Sequence, residues 1–522
     1  MKKKLLTTVM LAASVMTLAS CGGSNSELSI FLYQDGYIYN ADMPVYKKAN
    51  EYAGITLEGV LQKYDTNYDS IYNLRGKDAN LVVNDQDTIE ATALRDEIFL
   101  DLTPLIEEHA PNLKAFFEEN PEKKEWATAS DGKIYGIPFY TDGQTAKAFF
   151  VRQDWVNKLA QNNKLPKGIS KDNLNDLTVD QFHDLLLAFK ENKSLLTTAD
   201  NIYPYFDRDS DFAISELASL WGATAEYYLD EDGTVKYGAT QPEFRYAMEQ
   251  IAKWYSEGLI ERDILNKSTE DKRVTLFAQN SGGATHDWLG TTYSFNDDVY
   301  KANLVDGFQV VCIAPPTRSD GTKHEPTIRK QIGTVTAINA STSAEDQIKL
   351  MKWIDYWFTE EGHDSLNFGI QDVHFTKTGS EYKFTDRILN DKNTALANLY
   401  TIGAQLQSPG CQTFTYEEAW LSTEAKEAML LYQNSKNSDE KSSPWLNVNY
   451  NKLIYPNIKL TNEDYQKVNT SRSGVNNVYS EQINKWLKGT QQINDATWSA
   501  YVTAMEKAGT NIITSTIQKY VK

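Results

Sequence analysis

Positive charge is in short supply in this chain: its 522 residues carry 52 Lys and Arg against 71 Asp and Glu, a formal charge of −19. With no basic patch along it, the chain is not built to hold nucleic acid. Signatures of catalysis are missing too, with no H-E-x-x-H helix, no G-x-S-x-G elbow and no P-loop. Cysteine is scarce, three in all. Cys312 and Cys411 could pair in an exported protein, but Cys312 sits inside the apolar stretch 308–314, which suits a buried free thiol better than half a disulfide. Among the six histidines, His363 and His374 stand eleven residues apart with no third partner, so no metal site is expected from them.

What is present is ample apolar material, 41% of residues, on a chain longer than one core usually serves; two or more lobes are the default. Lys2, Lys3 and Lys4 precede an apolar run over residues 5–19, the length of a secretory h-region and too short to span a bilayer comfortably. It ends in Leu18-Ala19-Ser20-Cys21, followed by two glycines. Small residues suit a peptidase pocket, and a cysteine at a new amino terminus offers a thiol for acylation. The combination resembles a bacterial lipobox, which implies a signal peptide over 1–20, a lipidated Cys21 with a tether to residue 27, and a protein anchored on the extracellular face of the cell membrane. Removing the leader takes three lysines from a charge of −19 and leaves the mature chain at −22.

Beyond the tether, residues 28–33 (LSIFLY), 55–61 (ITLEGVL) and 80–83 (NLVV) read as strands, with a helical pattern at 43–52 between the first two. In open α/β sheets the ligand crevice lies at the carboxyl ends of the strands. Those ends carry Tyr33, Gln34 and Asp35, then Asp65, then Asp85. Carboxylates accept hydrogen bonds from hydroxyls and aromatic rings stack on sugar faces, so these are candidate carbohydrate contacts.

Residues 133–156 (KIYGIPFYTDGQTAKAFFVRQDWV) place two apolar runs either side of a polar turn, between short strand patterns before and long helix patterns after. We read this as a crossing between two lobes. Thr178 and Gln181 then form a capping box ahead of Phe182, Leu185, Leu186 and Phe189, and Pro242 opens a helix carrying Phe244, Met248, Ile251 and Tyr255 that Gly258 stops. Trp221 ends an apolar helix pattern. Asp287 and Trp288 lie in a run of small and polar residues, 282–290, so Trp288 reads as an exposed platform for a ligand, following what reads as a short strand at 274–277. Strands at 308–314 and 333–340 read as return crossings, and Ser343 caps a helix whose apolar face holds Leu350, Ile354, Trp357 and Phe358.

The hinge segment, the approach to it at 99–105 and 136–138, the run Phe150-Val151-Arg152-Gln153-Asp154-Trp155 and the run Glu360-Glu361-Gly362-His363-Asp364 together resemble the bacterial extracellular solute-binding proteins, in particular the large oligosaccharide-type lipoproteins of Gram-positive bacteria. Residues 367–375 look like a second family element, with Gln371 and Asp372 replacing its usual acidic residue and glycine. The resemblance implies an α/β, two-lobed, periplasmic-binding-protein-like fold with a ligand cleft between lobes joined by about three hinge crossings. The lobes would be 28–142 plus 314–360 and 143–313 plus 361–522.

Tyr140, Asp142, Arg152 and Gln371 are further candidate ligand contacts, as is Trp221, for which packing in the core is the competing reading; the resemblance implies no catalytic residue and no cofactor. The partners would be an oligosaccharide and the ABC permease, with the protein itself a monomer. Related lipoproteins carry a calcium loop after the first of the long helices; residues 192–206 here lack its alternating oxygen ligands. A secreted glycoside hydrolase and a lipoprotein that presents its ligand to a sensor are the competing readings. Acid neighbours such as Glu417 and Glu418, or Asp85 and Asp87, do not by themselves make a carboxylate pair spanning a glycosidic bond.

Overall fold

The computed structural model describes residues 27–34, 36–63, 65, 67–141, 147–207, 213–266, 271–296, 304–325, 332–389, 394–434 and 458–521. Cys21, Asp35 and Asp142 lie outside the described residues. Six strands come first: β1 (Glu27–Phe31), β2 (Tyr33–Gln34), β3 (Tyr37–Ile38), β4 (Thr56–Gly59), β5 (Leu81–Asp85) and β6 (Ile137–Thr141). Then follow β7 (Lys147–Arg152), β8 (Tyr203–Phe206), β9 (Tyr227–Leu229), β10 (Val235–Tyr237), β11 (Gly282–Trp288) and β12 (Val310–Ile313). The last are β13 (Ile332–Ile338), β14 (Phe375–Thr378), β15 (Glu381–Phe384) and β16 (Gly410–Gln412).

Ten of these strands make two sheets. The first has the order β16-β6-β13-β5-β1-β4, with β13 antiparallel to both neighbours and the rest parallel. The second has the order β12-β7-β11-β8, with β11 and β12 antiparallel to β7 and β8 parallel to β11. Apolar strands such as Leu81-Val82-Val83 and the whole of β7 are buried on both faces, as sheets covered by helices on both sides require. Separate apolar clusters surround the two sheets. Leu28, Ile30, Leu81, Ile137, Trp353 and Trp357 belong to the first, and Phe149, Trp155, Phe182, Met248 and Trp486 to the second.

The chain passes from the first sheet to the second between β6 and β7, returns between β12 and β13, and leaves again after β16 for the helix Thr423–Asn434, which packs on the second. β6 ends and β7 begins at the first of these passages. The parallel partners of β6 therefore end at the same edge, at Phe31, Gly59, Asp85 and Gln412. β11 and β12, antiparallel to β7, end beside its start, at Trp288 and Ile313.

The anticipated helices form where their caps stand. Thr178 and Gln181 close the capping box of Val179–Glu191, whose Phe182, Leu185, Leu186 and Phe189 are buried. Gly258, at φ 69°, ends the turn after Pro242–Ser256, in a conformation that costs a side-chain-bearing residue more. Residues 274–277 belong to the helix Asp271–Ala278 rather than to a strand. The strand is instead β11, whose two leading glycines hide its pattern: a Cβ on Gly282 would meet the Phe206 ring at 2.5 Å, so only glycine lets β11 lie this close to β8.

The division read from sequence also differs from the packing. Leu366, Phe368, Phe375, Phe384, Leu399 and Tyr416 pack with the first sheet, which β16 extends, whereas the sequence division places 361–522 with the second lobe. Thr317, beyond the anticipated boundary at 314, still bridges to Thr178 on the second sheet's side. Apolar periodicity states that a helix has a buried face; it does not state which of two cores receives it.

Candidate functional site

At the carboxyl edge of the first sheet, Tyr33 stacks on Tyr68 with ring centroids 4.1 Å apart and planes at 20°. Burial raises the Tyr33 phenol, and the nearby carboxylates of Asp69 and Asp85 raise it further, so it remains a hydrogen-bond donor beside two acceptors. Gln34 forms a two-residue ladder with Tyr37. Asp85 caps the helix Gln86–Asp96, its Oδ1 accepting from the Thr88 amide at 2.8 Å while the residue stays exposed. Asp65 accepts from the Gln62 amide at 2.8 Å and from Arg75 at 3.0 Å, which fits a loop clasp better than a ligand contact.

Three further candidates are turned inward. Tyr140 is fully buried among Phe116 and Trp126, and its hydroxyl donates to the Lys123 carbonyl at 2.8 Å. Arg152 is also fully buried: its guanidinium forms a fork with both Asp154 oxygens at 2.7 Å, donates to Asn280 at 2.6 Å and lies over the Trp155 and Phe308 rings. Asp287 is sealed from solvent, its Oδ2 accepting from Arg273 at 2.9 Å and its Oδ1 from the Trp288 amide at 2.7 Å. These groups hold the frame, and their bonds are already made. Trp221 meets Trp254 edge-on at 5.1 Å against the second core, and Gln371 is exposed at a turn bridged to Phe375.

Trp288 is different. It ends β11 opposite Lys147, and 36% of it stays exposed where its sheet neighbours are covered. Arg273 fixes its base, donating to Asp287 and, at 3.1 Å each, to Thr291 and Thr292 on the following turn. Trp420 comes close behind it: a Cβ on Gly290 would meet that indole at 2.8 Å, and Trp420 packs against the cores of both sheets.

Beneath Trp288 runs a chain of buried charge that sequence reasoning missed. Lys147 Nζ donates to Glu216 Oε1 at 2.5 Å, Glu216 Oε2 lies 2.6 Å from His286 Nδ1, and His286 Nε2 lies 2.9 Å from Glu325 Oε1. Burial by itself would lower His286, but the Glu325 and Glu216 carboxylates outweigh it and hold the imidazole at about 10. Burial would raise Glu216, yet His286 and Lys147 hold it at about 2. Two cations and two anions thus alternate out of water, in the arrangement that lets a buried charge persist. The one sequence signal was His286 itself, two residues before Trp288 and so on the same face of the strand.

An exposed indole on one sheet edge and a tyrosine pair with exposed carboxylates on the other suit a flat, hydroxylated ligand. Among the described residues no three His, Cys, Asp or Glu side chains converge as a metal site, and no helix is long and apolar enough to cross a membrane. Cys312 is buried, and no disulfide joins it to Cys411.

No family model matches the chain. Among curated proteins it is 26% identical, over 179 residues, to the fructooligosaccharide ABC transporter substrate-binding protein FusA of Streptococcus pneumoniae. That match covers 32% of this chain and 31% of the relative. Solved structures match over nearly the whole length. The alginate-binding protein AlgQ2 without calcium ion superposes with a TM-score of 0.79 at 27% identity, over 94% of this chain and 97% of its own. FusA in complex with kestose gives 0.72 at 19% identity, over 95% and 98%, a likeness of fold. A solute-binding protein of Bifidobacterium longum infantis gives 0.67 at 15%, over 95% of this chain and 99% of that one. In fold along its length, and in sequence over the part that matches, the chain is similar to the extracellular solute-binding proteins of ABC transporters.

Proposed function

We propose that this protein is the lipid-anchored, extracellular solute-binding subunit of an ABC importer, and that it captures an oligosaccharide by closing two lobes around it. The observation that carries the reading is Trp288, an exposed indole at the passage-facing end of a strand whose other side chains are buried. Tyr33, Tyr68 and Asp85 at the edge of the first sheet supply the opposing ring and acceptors. The names of the relatives, which bind alginate or fructooligosaccharides, support a saccharide ligand. The protein works as a monomer, binds and releases its ligand unchanged, and hands it to the permease subunits.

The lobes are the parts of the chain packed around each sheet, and the passages between them act as the hinge. A ligand that touches both lobes favours the closed form by its greater affinity for that form. The test is thermal unfolding against a panel of mono- and oligosaccharides, kestose and alginate oligomers included: a ligand that binds only the folded chain raises its melting temperature. An oligosaccharide that does so and is recovered intact supports the reading. Its recovery as shortened products moves the protein to the glycoside hydrolases. The anchor rests on Leu18-Ala19-Ser20-Cys21, and Cys21→Ala should move the protein out of the membrane fraction; retention of lipid-labelled protein there would refute it.

A further inference from the structure

The chain enters Asn462–Leu487, the longest helix among the described residues, through residues 458–460, whose contacts divide between the two sheets. Ile458 and Leu460 pack on the core of the second sheet, which also buries Val468, Val475, Ile483 and Trp486 of that helix. Lys459 between them reaches the other way. Its ammonium lies 2.8 Å from Glu90 Oε1 and 2.8 Å from the Trp126 carbonyl, groups on helices of the first sheet. Gln86 closes the figure, its amide nitrogen donating to the same Glu90 oxygen at 2.5 Å and the same carbonyl at 2.7 Å.

The place matters as much as the bonds. Trp126 lies against the ring of Tyr140, one residue from the end of β6, so the contact sits beside the passage into the second sheet. The long helix then lies against Gln86–Asp96, where Tyr465 comes within reach of the Asp85 and Asp87 carboxylates.

We infer that Lys459 is a positioning residue, a latch that ties the two halves of the molecule together at the base of their cleft and so sets how easily they close. An exposed ion pair would do little. Here the side chains are only 23% and 14% exposed, and the pair joins positions 369 residues apart. Two halves already ordered relative to each other leave less ordering for a ligand to supply, so the latch raises affinity without touching ligand. That consequence rests on the capture reading above; the latch itself does not, and its test uses no ligand.

The full chain is compared with Lys459→Met, Glu90→Gln and Lys459→Arg by amide hydrogen exchange and small-angle scattering. In Lys459→Met and Glu90→Gln, amides of Gln86–Asp96 should exchange about tenfold faster, the worth of one charged hydrogen bond, and the radius of gyration should shift. Lys459→Arg, which keeps the cation, should restore both. Exchange that quickens only at 458–460, or scattering that stays at the wild-type profile, would overturn the latch. Glu90→Gln keeps the side chain's shape and answers the same question should Lys459→Met fail to fold.

Discussion

Asp85 and His286 stand at or near the edges of the two sheets that face the passage between β6 and β7, yet their surroundings are opposite. Asp85 spends one oxygen on a helix cap and keeps its carboxylate in water. His286 is wholly buried between two carboxylates that are themselves covered. The first edge thus has exposed acceptors to offer, and at the second the exposed Trp288 stands over buried charge. The difference teaches that polar residues near a cleft divide into those that hold it and those that can meet a ligand, and burial separates the two.

The comparison breaks most visibly at Glu216. Glu216→Ala leaves Lys147 and His286 buried with one carboxylate fewer, and should cost on the order of 3 to 5 kcal/mol of unfolding free energy in urea. A loss under about 1 kcal/mol, typical of a surface change, would show the chain of charge to be dispensable. pH tests the same element. His286 ordinarily titrates at 6.5 and is held at about 10 in the fold, so its contribution is complete below pH 6.5 and fades as pH rises towards 10. Glu216, lowered from 4.5 to about 2, contributes fully above pH 4.5 and loses that contribution as pH falls towards 2. Stability of the wild type should therefore decline from pH 6.5 upward, and His286→Gln should flatten that slope; parallel slopes would place the titrating group elsewhere.

Trp288→Ala should weaken the oligosaccharide found in the thermal panel by about thirtyfold, roughly 2 kcal/mol, if the ring is a binding hot spot. Calorimetric titration reads the affinity, and unchanged binding would take Trp288 out of the site. The smallest effect belongs to the first edge: Asp85→Ala removes a helix cap worth about 1 kcal/mol. A loss as large as that at Glu216, read in the same urea titration, would erase the contrast between the edges.

Much of the fold was legible because its signals are local. The Thr178 box and the cap at Ser343 satisfy backbone groups within four residues, and Pro242 starts its helix with a preset φ and no amide to pair, so the chain nearby carries the whole message. The site was legible only in part. Trp288 stood out by its polar setting, and the structure leaves it exposed; Tyr33 and Asp85 came from the rule for strand ends. Tyr140, Arg152 and Asp287 carry side chains that suit a ligand equally well; Asp154 stands two residues from Arg152, but Lys123 and Arg273, which engage Tyr140 and Asp287, lie 17 and 14 positions away where no local pattern marks them. The packing of Leu366, Phe375, Leu399 and Tyr416 with the first sheet was hidden for a similar reason, since β16 is three residues long and its pairing with β6 spans some 270 positions.

By itself the sequence determined the acidic charge and most of the strand and helix segments. These follow from composition, from periodicity and from hydrogen bonds closed over a few residues. Tertiary structure alone decided which charges are buried and with whom. Lys147, Glu216, His286 and Glu325 come from four separate segments, and each meets out of water a partner of opposite charge from another segment. Lys459 and Glu90 meet across 369 positions under the same condition. A desolvated charge is stabilised by the partner beside it in space, and no local pattern records who that partner will be.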